Sequence, residues 1–163
     1  MGECTPVGGE ILKQLELKIE SGLSGREIAP ENIRPLSLAY VGDTILDLYV
    51  RTRLVSETTL HPKELHQKAS AVVNAAAQAR MVKLLMEDLT EEEKEVFRKA
   101  RNQHSGTIPK NQSPIDYKWA TGLEALLGYL YLKGETERLA ELIGKGLRYI
   151  GFETAQEKDK SNE

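Results

Sequence analysis

Two acids in this 163-residue chain have neighbours that suit a helix interior better than a surface. Asp43 follows Gly42 in LAYVGDTILDLYV, residues 38–50, amid Leu38, Tyr40, Val41, Ile45 and Leu46. Glu124 sits in GLEALLGYLYL between Leu123 and Ala125, one turn before Gly128. On a helix Glu124 and Gly128 share a face, while Gly42 adjoins Asp43. Glycine lets a second backbone come close, so both acids are expected where helices cross tightly. A carboxylate placed there is costly unless a cation or a hydrogen-bond donor meets it. A basic side chain or a neighbouring helix end could do so. So could magnesium, which takes one or two protein carboxylates and completes its octahedron with water and substrate phosphate. Spacing alone leaves both open, because 81 positions separate the two acids.

Other chemistries find little support. The three histidines, His61, His66 and His104, are scattered, and no Cys/His cluster has zinc spacing. The chain contains no GxxxxGK[ST] or GxGxxG phosphate cradle and no GxSxG nucleophile elbow. Carboxylates on helices remain, which is hard-cation chemistry. Asp47, one turn after Asp43, either adds a ligand or pairs with Arg51 at i+4; the pair is the expectation.

The elements that position these acids read as helical almost throughout. A short amphipathic helix is expected at 9–20, followed by a connector rich in Gly and Pro. From Leu36 to about Leu54, the positions Leu38, Val41, Ile45, Leu48 and Val55 keep a helical rhythm and mark the expected buried stripe. His61-Pro62 starts the next helix, with proline at its first position, and the alanine-rich run carries it to about Met86. Thr90 and Glu93 form a capping box opening a further helix to about Lys99. RNQHSGTIPKNQSP, residues 101–114, is a polar loop broken by Gly106, Pro109 and Pro114. Helices at about 116–132 and 135–149 follow. There is no strand signal and no repeat, so the expected fold is all-α: a catalytic domain over 31–152, an N-terminal extension at 1–30 and a frayed tail at 153–163.

Composition bounds the setting. Hydrophobic residues are 40% and charged residues 29%, a globular balance. A single cysteine, Cys4, cannot form an internal disulfide, which fits a reducing compartment. No apolar run approaches a bilayer span and no cleavable leader is evident, so a soluble, cytoplasmic protein without membrane contact is expected. Net charge is −3. The distribution is uneven, however: 87–95, EDLTEEEKE, is strongly acidic. Residues 98–119 set Arg98, Lys99, Arg101, Lys110 and Lys118 against Asp116 alone. A mildly acidic protein can still own a basic face for a polyanion.

LAYVGDTILDLYVR resembles the signature helix of ribonuclease III catalytic domains, and LEALLGYLYL is similar to that family's second motif. HPKELHQKASAVVNAAAQARM and RNQHSGTIPKNQSPIDYKWATGLEA look specifically like Mini-ribonuclease III, the short bacterial branch. The resemblance covers roughly residues 36–135, and the stretch after Gly134 is too short for the RNA-binding domain that longer members append. It implies a ribonuclease III-like helical bundle and magnesium held by Asp43 and Glu124, the catalytic pair. It also implies a homodimer that cuts both strands of double-stranded RNA, with the large-subunit (23S) ribosomal RNA precursor as substrate. Two further acids of the longer members are missing: Ala39 and Thr121 stand in their places. Without an appended domain, RNA must be held by the catalytic domain itself, and the expected contacts are Arg101, Lys110 and Lys118, then Lys63 and Arg80. The competing reading is a non-catalytic RNA-binding or ribosome-assembly module that keeps the fold.

Overall fold

The computed structural model describes residues 28–104 and 106–152. After a short 3-10 turn at Pro30–Asn32 come six helices: α1 Pro35–Glu57, α2 Pro62–Val73, α3 Ala75–Leu85, α4 Glu91–Arg101, α5 Pro114–Lys133 and α6 Thr136–Tyr149. No strand occurs among the described residues, and the all-α expectation holds. The helix expected at 9–20 and the tail at 153–163 lie outside them.

Proline opens α1, α2 and α5, where its missing N–H would have had no partner and its fixed φ already suits a helix. α5 is the axis of the bundle. Ala120, Leu123, Ala125, Leu126, Leu127, Tyr129 and Leu130 are all buried, and a helix apolar on every side belongs in the middle. α1 packs against it most extensively, with α3 and α4 beside it. α6 closes the core with one amphipathic face, Leu139, Leu142, Ile143 and Leu147. α5 ends at Gly134, whose φ of 77° is the left-handed cap that glycine adopts at least cost.

Two expectations need correction. The buried side of α1 is Leu38, Ala39, Gly42, Leu46, Val50 and Leu54, a row close to i+4. Leu48 and Val55, expected inside, are exposed. Both faces of α1 are rich in apolar residues, so periodicity alone could not choose between them. The alanine-rich run is likewise not one helix. Asn74 breaks it: its side chain donates to the carbonyls of Ser70 and Ala71, both at 3.0 Å, and accepts from the Ala77 N–H at 2.9 Å. One amide thereby caps the end of α2 and the start of α3.

The turn Met86–Asp88 and the start of α4 are fastened to α6 by charge. Lys145 Nζ donates to Asp88 Oδ1 at 2.6 Å, and Tyr149 Oη to Oδ2 at 3.0 Å. Arg138 bridges the Asp88 carbonyl at 2.6 Å and both oxygens of the buried Glu93, at 2.8 and 3.0 Å. Glu93 also accepts from the Thr90 N–H at 2.9 Å, completing the expected capping box.

Candidate active site

α1 and α5 meet backbone to backbone, as the two glycines suggested. A Cβ on Gly42 would overlap the Glu124 carbonyl, and one on Gly128 would overlap the Leu38 carbonyl. This crossing brings Asp43 within electrostatic range of Glu124 despite a sequence separation of 81.

The two acids sit differently. Asp43 projects from the open side of α1, next to the buried Gly42. Glu124 is half-buried on a helix whose neighbouring residues are buried. Burial, then the nearby Asp43 charge, pushes the Glu124 carboxyl up to about 8, against a smaller opposing hydrogen bond from Gln78. Asp43 is also raised, by partial burial and then by Asp47. Among the described residues, neither has a cationic partner. The alternative in which each acid already owns a basic neighbour is therefore not what the bundle builds. Asp47 does pair with Arg51, Nε to Oδ2 at 2.8 Å, although its Oδ1 is buried without a hydrogen-bond partner among the described residues.

Beside Glu124 lies a cleft of about 170 Å³, lined by Asn74, Gln78, Gln112, Tyr117 and Thr121 among others. The α2–α3 break and the loop before α5 thus both reach the acid. Gln78, buried on α3, is the polar neighbour that sequence reasoning missed. Its one signal was a lone amide among alanines, in AAAQAR. Thr121, three residues before Glu124, turns back on its own helix and donates to the Tyr117 carbonyl at 2.9 Å.

The donor set fits a hard divalent cation. Two carboxylates with unmet negative charge are the number that magnesium commonly takes from a protein. No group of three or more Asp, Glu, His or Cys able to hold a metal occurs among the described residues, so water and substrate oxygens would complete the shell.

None of the five basic candidates lines this cleft. Lys110, in the loop before α5, Lys118, on α5, and Lys63, on α2, are exposed and form no ion pair among the described residues. Arg101 is half-buried, with its guanidinium 5.5 Å from the Phe97 ring centre and 5.4 Å from that of Trp119. Arg80 donates to the Ile150 carbonyl at 3.0 Å, tying α3 to the end of α6. No helix among the described residues is long and apolar enough to cross a membrane.

Comparison with known proteins gives a consistent result. The sequence profile of the ribonuclease III domain matches residues 36–135. A protein named Mini-ribonuclease 3 from a Thermoanaerobacter species is 43% identical over 73% of this chain and 84% of its own length. The protein of that name from Brevibacillus brevis is 41% identical over 77% and 93%. A crystal structure of a Fusobacterium nucleatum protein superimposes with a TM-score of 0.66 and 31% identity, covering 72% of this chain and 93% of that one.

Proposed function

The chain belongs to the ribonuclease III family and is an endoribonuclease, and from that premise we propose that it cuts double-stranded RNA with magnesium, maturing the large-subunit (23S) ribosomal RNA precursor. One observation carries the reading. Asp43 and Glu124, one from each motif similar to the family's, converge at a single helix crossing with no cation beside them among the described residues.

Bound there, a divalent ion would lower the pKa of its water and neutralise charge developing on the phosphate oxygens. The protein's part is to hold and orient. Asp43 and Glu124 supply two hard oxygens fixed by the Gly42–Gly128 contact. Their raised proton affinity also suits either one to take a proton from the attacking water. The product would carry a 5′-phosphate.

A homodimer completes this reading. Leu36, Tyr40, Leu48 and Val55 form an exposed apolar stripe along α1, with Tyr40 83% and Val55 66% accessible. Asp43 flanks that stripe. A two-fold axis through it would bring two copies of the acid pair to one surface, one for each RNA strand. Sedimentation showing a monomer at micromolar concentration would remove this part.

The decisive experiment replaces Asp43 by Asn and Glu124 by Gln, which removes each charge at constant size. Each change should lower duplex cleavage in magnesium by at least ~1,000-fold, from the several kcal/mol that charge stabilisation at such sites supplies. Duplex binding should persist. Turnover like that of the wild type by either variant would break the shared-ion picture.

A further inference from the structure

The cleft beside Glu124 contains an unmet acceptor. Gln78 is 1% exposed; its Nε2 donates to the Val73 carbonyl at 2.8 Å, and its side chain lines the same cleft as Glu124. Its Oε1 is buried and has no partner among the described residues. Turning the amide over would set that oxygen against another acceptor, the Val73 carbonyl, and would lose the bond that Nε2 makes there. The orientation is therefore dictated by its neighbours, and the oxygen is left to whatever enters the cleft. A buried acceptor without a donor is unfavourable, so retaining one next to the reacting carboxylate calls for a donor.

We propose that Gln78 is a positioning residue of the nuclease site. Its Nε2 fixes the Glu124 carboxylate, and its Oε1 accepts a hydrogen bond from a water held in the cleft. This rests on the reading of Glu124 given above. Gln78 does for Glu124 what Thr121 cannot, because the threonine hydroxyl is committed to its own helix. Held on one side, Glu124 presents its free oxygen in one direction only. The water on Oε1 is oriented as well, with its remaining proton and lone pairs turned towards the site. Outer partners of this kind typically affect metal affinity or turnover by ~10–100-fold when removed.

The test is Gln78→Met, which keeps length and volume but removes both the donor and the acceptor. Two quantities are read. The first is kcat and KM on duplex RNA at saturating magnesium. The second is the rise in melting temperature that magnesium gives the RNA-free protein. The expected result is a kcat lowered at least tenfold with KM within twofold, together with a smaller magnesium-induced rise. A kcat within twofold of wild type, or an unchanged magnesium response, overturns the proposal. If the Met variant does not fold, Gln78→Asn, which withdraws the same amide from Glu124, is read in the same way. Glu124→Gln is run alongside. If it cleaves normally, the reading of the site has failed; if it is dead while Gln78→Met is normal, only the role of Gln78 has failed.

Discussion

Along the edge where α4 meets α5 and α6, Asp88, Glu92 and Glu93 each face a cation, whereas at the α1–α5 crossing Asp43 and Glu124 lie within electrostatic range of each other without one among the described residues. Lys133 and Tyr129 meet Glu92 at 2.7 and 2.6 Å and hold its carboxyl below the usual range; Lys145 and then Tyr149 do the same for Asp88. Burial works to raise Glu93, but the Arg138 and Thr90 hydrogen bonds outweigh it. At the crossing the balance runs the other way. No cation among the described residues offsets burial, and both acids are raised. The same side-chain type thus stabilises one region and strains the other. On the reading proposed above, the crossing acids are kept for a charge outside the chain to neutralise rather than for the fold.

The sharpest way to break this contrast is to remove one acid from each region. Glu93→Ala strands a half-buried arginine and deletes half of a capping box, so it should destabilise by ~3 kcal/mol. At the usual conversion for a domain of this size, that is ~10 °C in melting temperature. Cleavage per folded molecule should not change. Linkage fixes the sign. The folded pKa of Glu93 lies below its unfolded value, so its contribution is present above about pH 4.5 and fades as pH falls through the folded value. If Glu93→Ala melts like the wild type, the edge is not the structural half of the comparison.

Glu124→Gln should have the opposite sign. The folded pKa, about 8, lies above the ordinary value of 4.5. The ion-free protein therefore loses stability as pH rises from about 4.5 towards 8, because the folded state binds the proton more tightly. Glutamine does not titrate. At pH 8 without divalent ions the variant should melt several degrees above wild type, and the gap should close by pH 4.5. At ~1.4 kcal/mol per unit, discounted for the open side of the site, a gain of ~2 kcal/mol is reasonable. Magnesium should raise the melting temperature of wild type more than that of the variant. A thermal melt series across pH checks all three, and a variant less stable at pH 8 would make Glu124 a structural residue.

How much of this is legible in the sequence differs between the same regions. The Thr90–Glu93 box and the Asp47–Arg51 pair are local, fixed by spacings of three and four, and the sequence shows them directly. The crossing is half legible. Glycine beside one acid, and one turn after the other, announces a close approach, but only the paired resemblance joins residues 81 apart. Gln78 is not legible. An isolated amide in an alanine run reads as solvent-facing, and its burial against Glu124 comes from the break at Asn74, which turns α3 onto α5. The buried face of α1 escapes periodicity because its exposed side also carries large apolar residues, Leu36, Tyr40, Leu48 and Val55. Arg138, which anchors Asp88 and Glu93, comes from 45 to 50 positions away and gives no sequence signal.

The smallest effect belongs to the basic residues, where the comparison between committed and free charges recurs. Arg101 lies over Phe97 and Trp119, and Arg80 is engaged by the Ile150 carbonyl, so alanine at either position would remove packing or a tie as well as a charge. Lys110 is exposed, without an ion pair among the described residues, and two residues before Gln112, which reaches the cleft beside Glu124. It is the cleaner probe of whether the loop before α5 carries RNA. Counterion release sets the slope of log affinity against log salt at roughly −0.9 per phosphate neutralised, a duplex DNA value applied here to RNA. Lys110→Gln, on an Asp43→Asn background that binds without cutting, should flatten the slope by about one such unit and weaken binding only a few-fold at low salt. Lys63→Gln, placed on α2, serves as the matched surface control and should leave the slope closer to the parent's. If Lys63 flattens it and Lys110 does not, the RNA runs along α2, and the loop contributes shape to the cleft rather than charge.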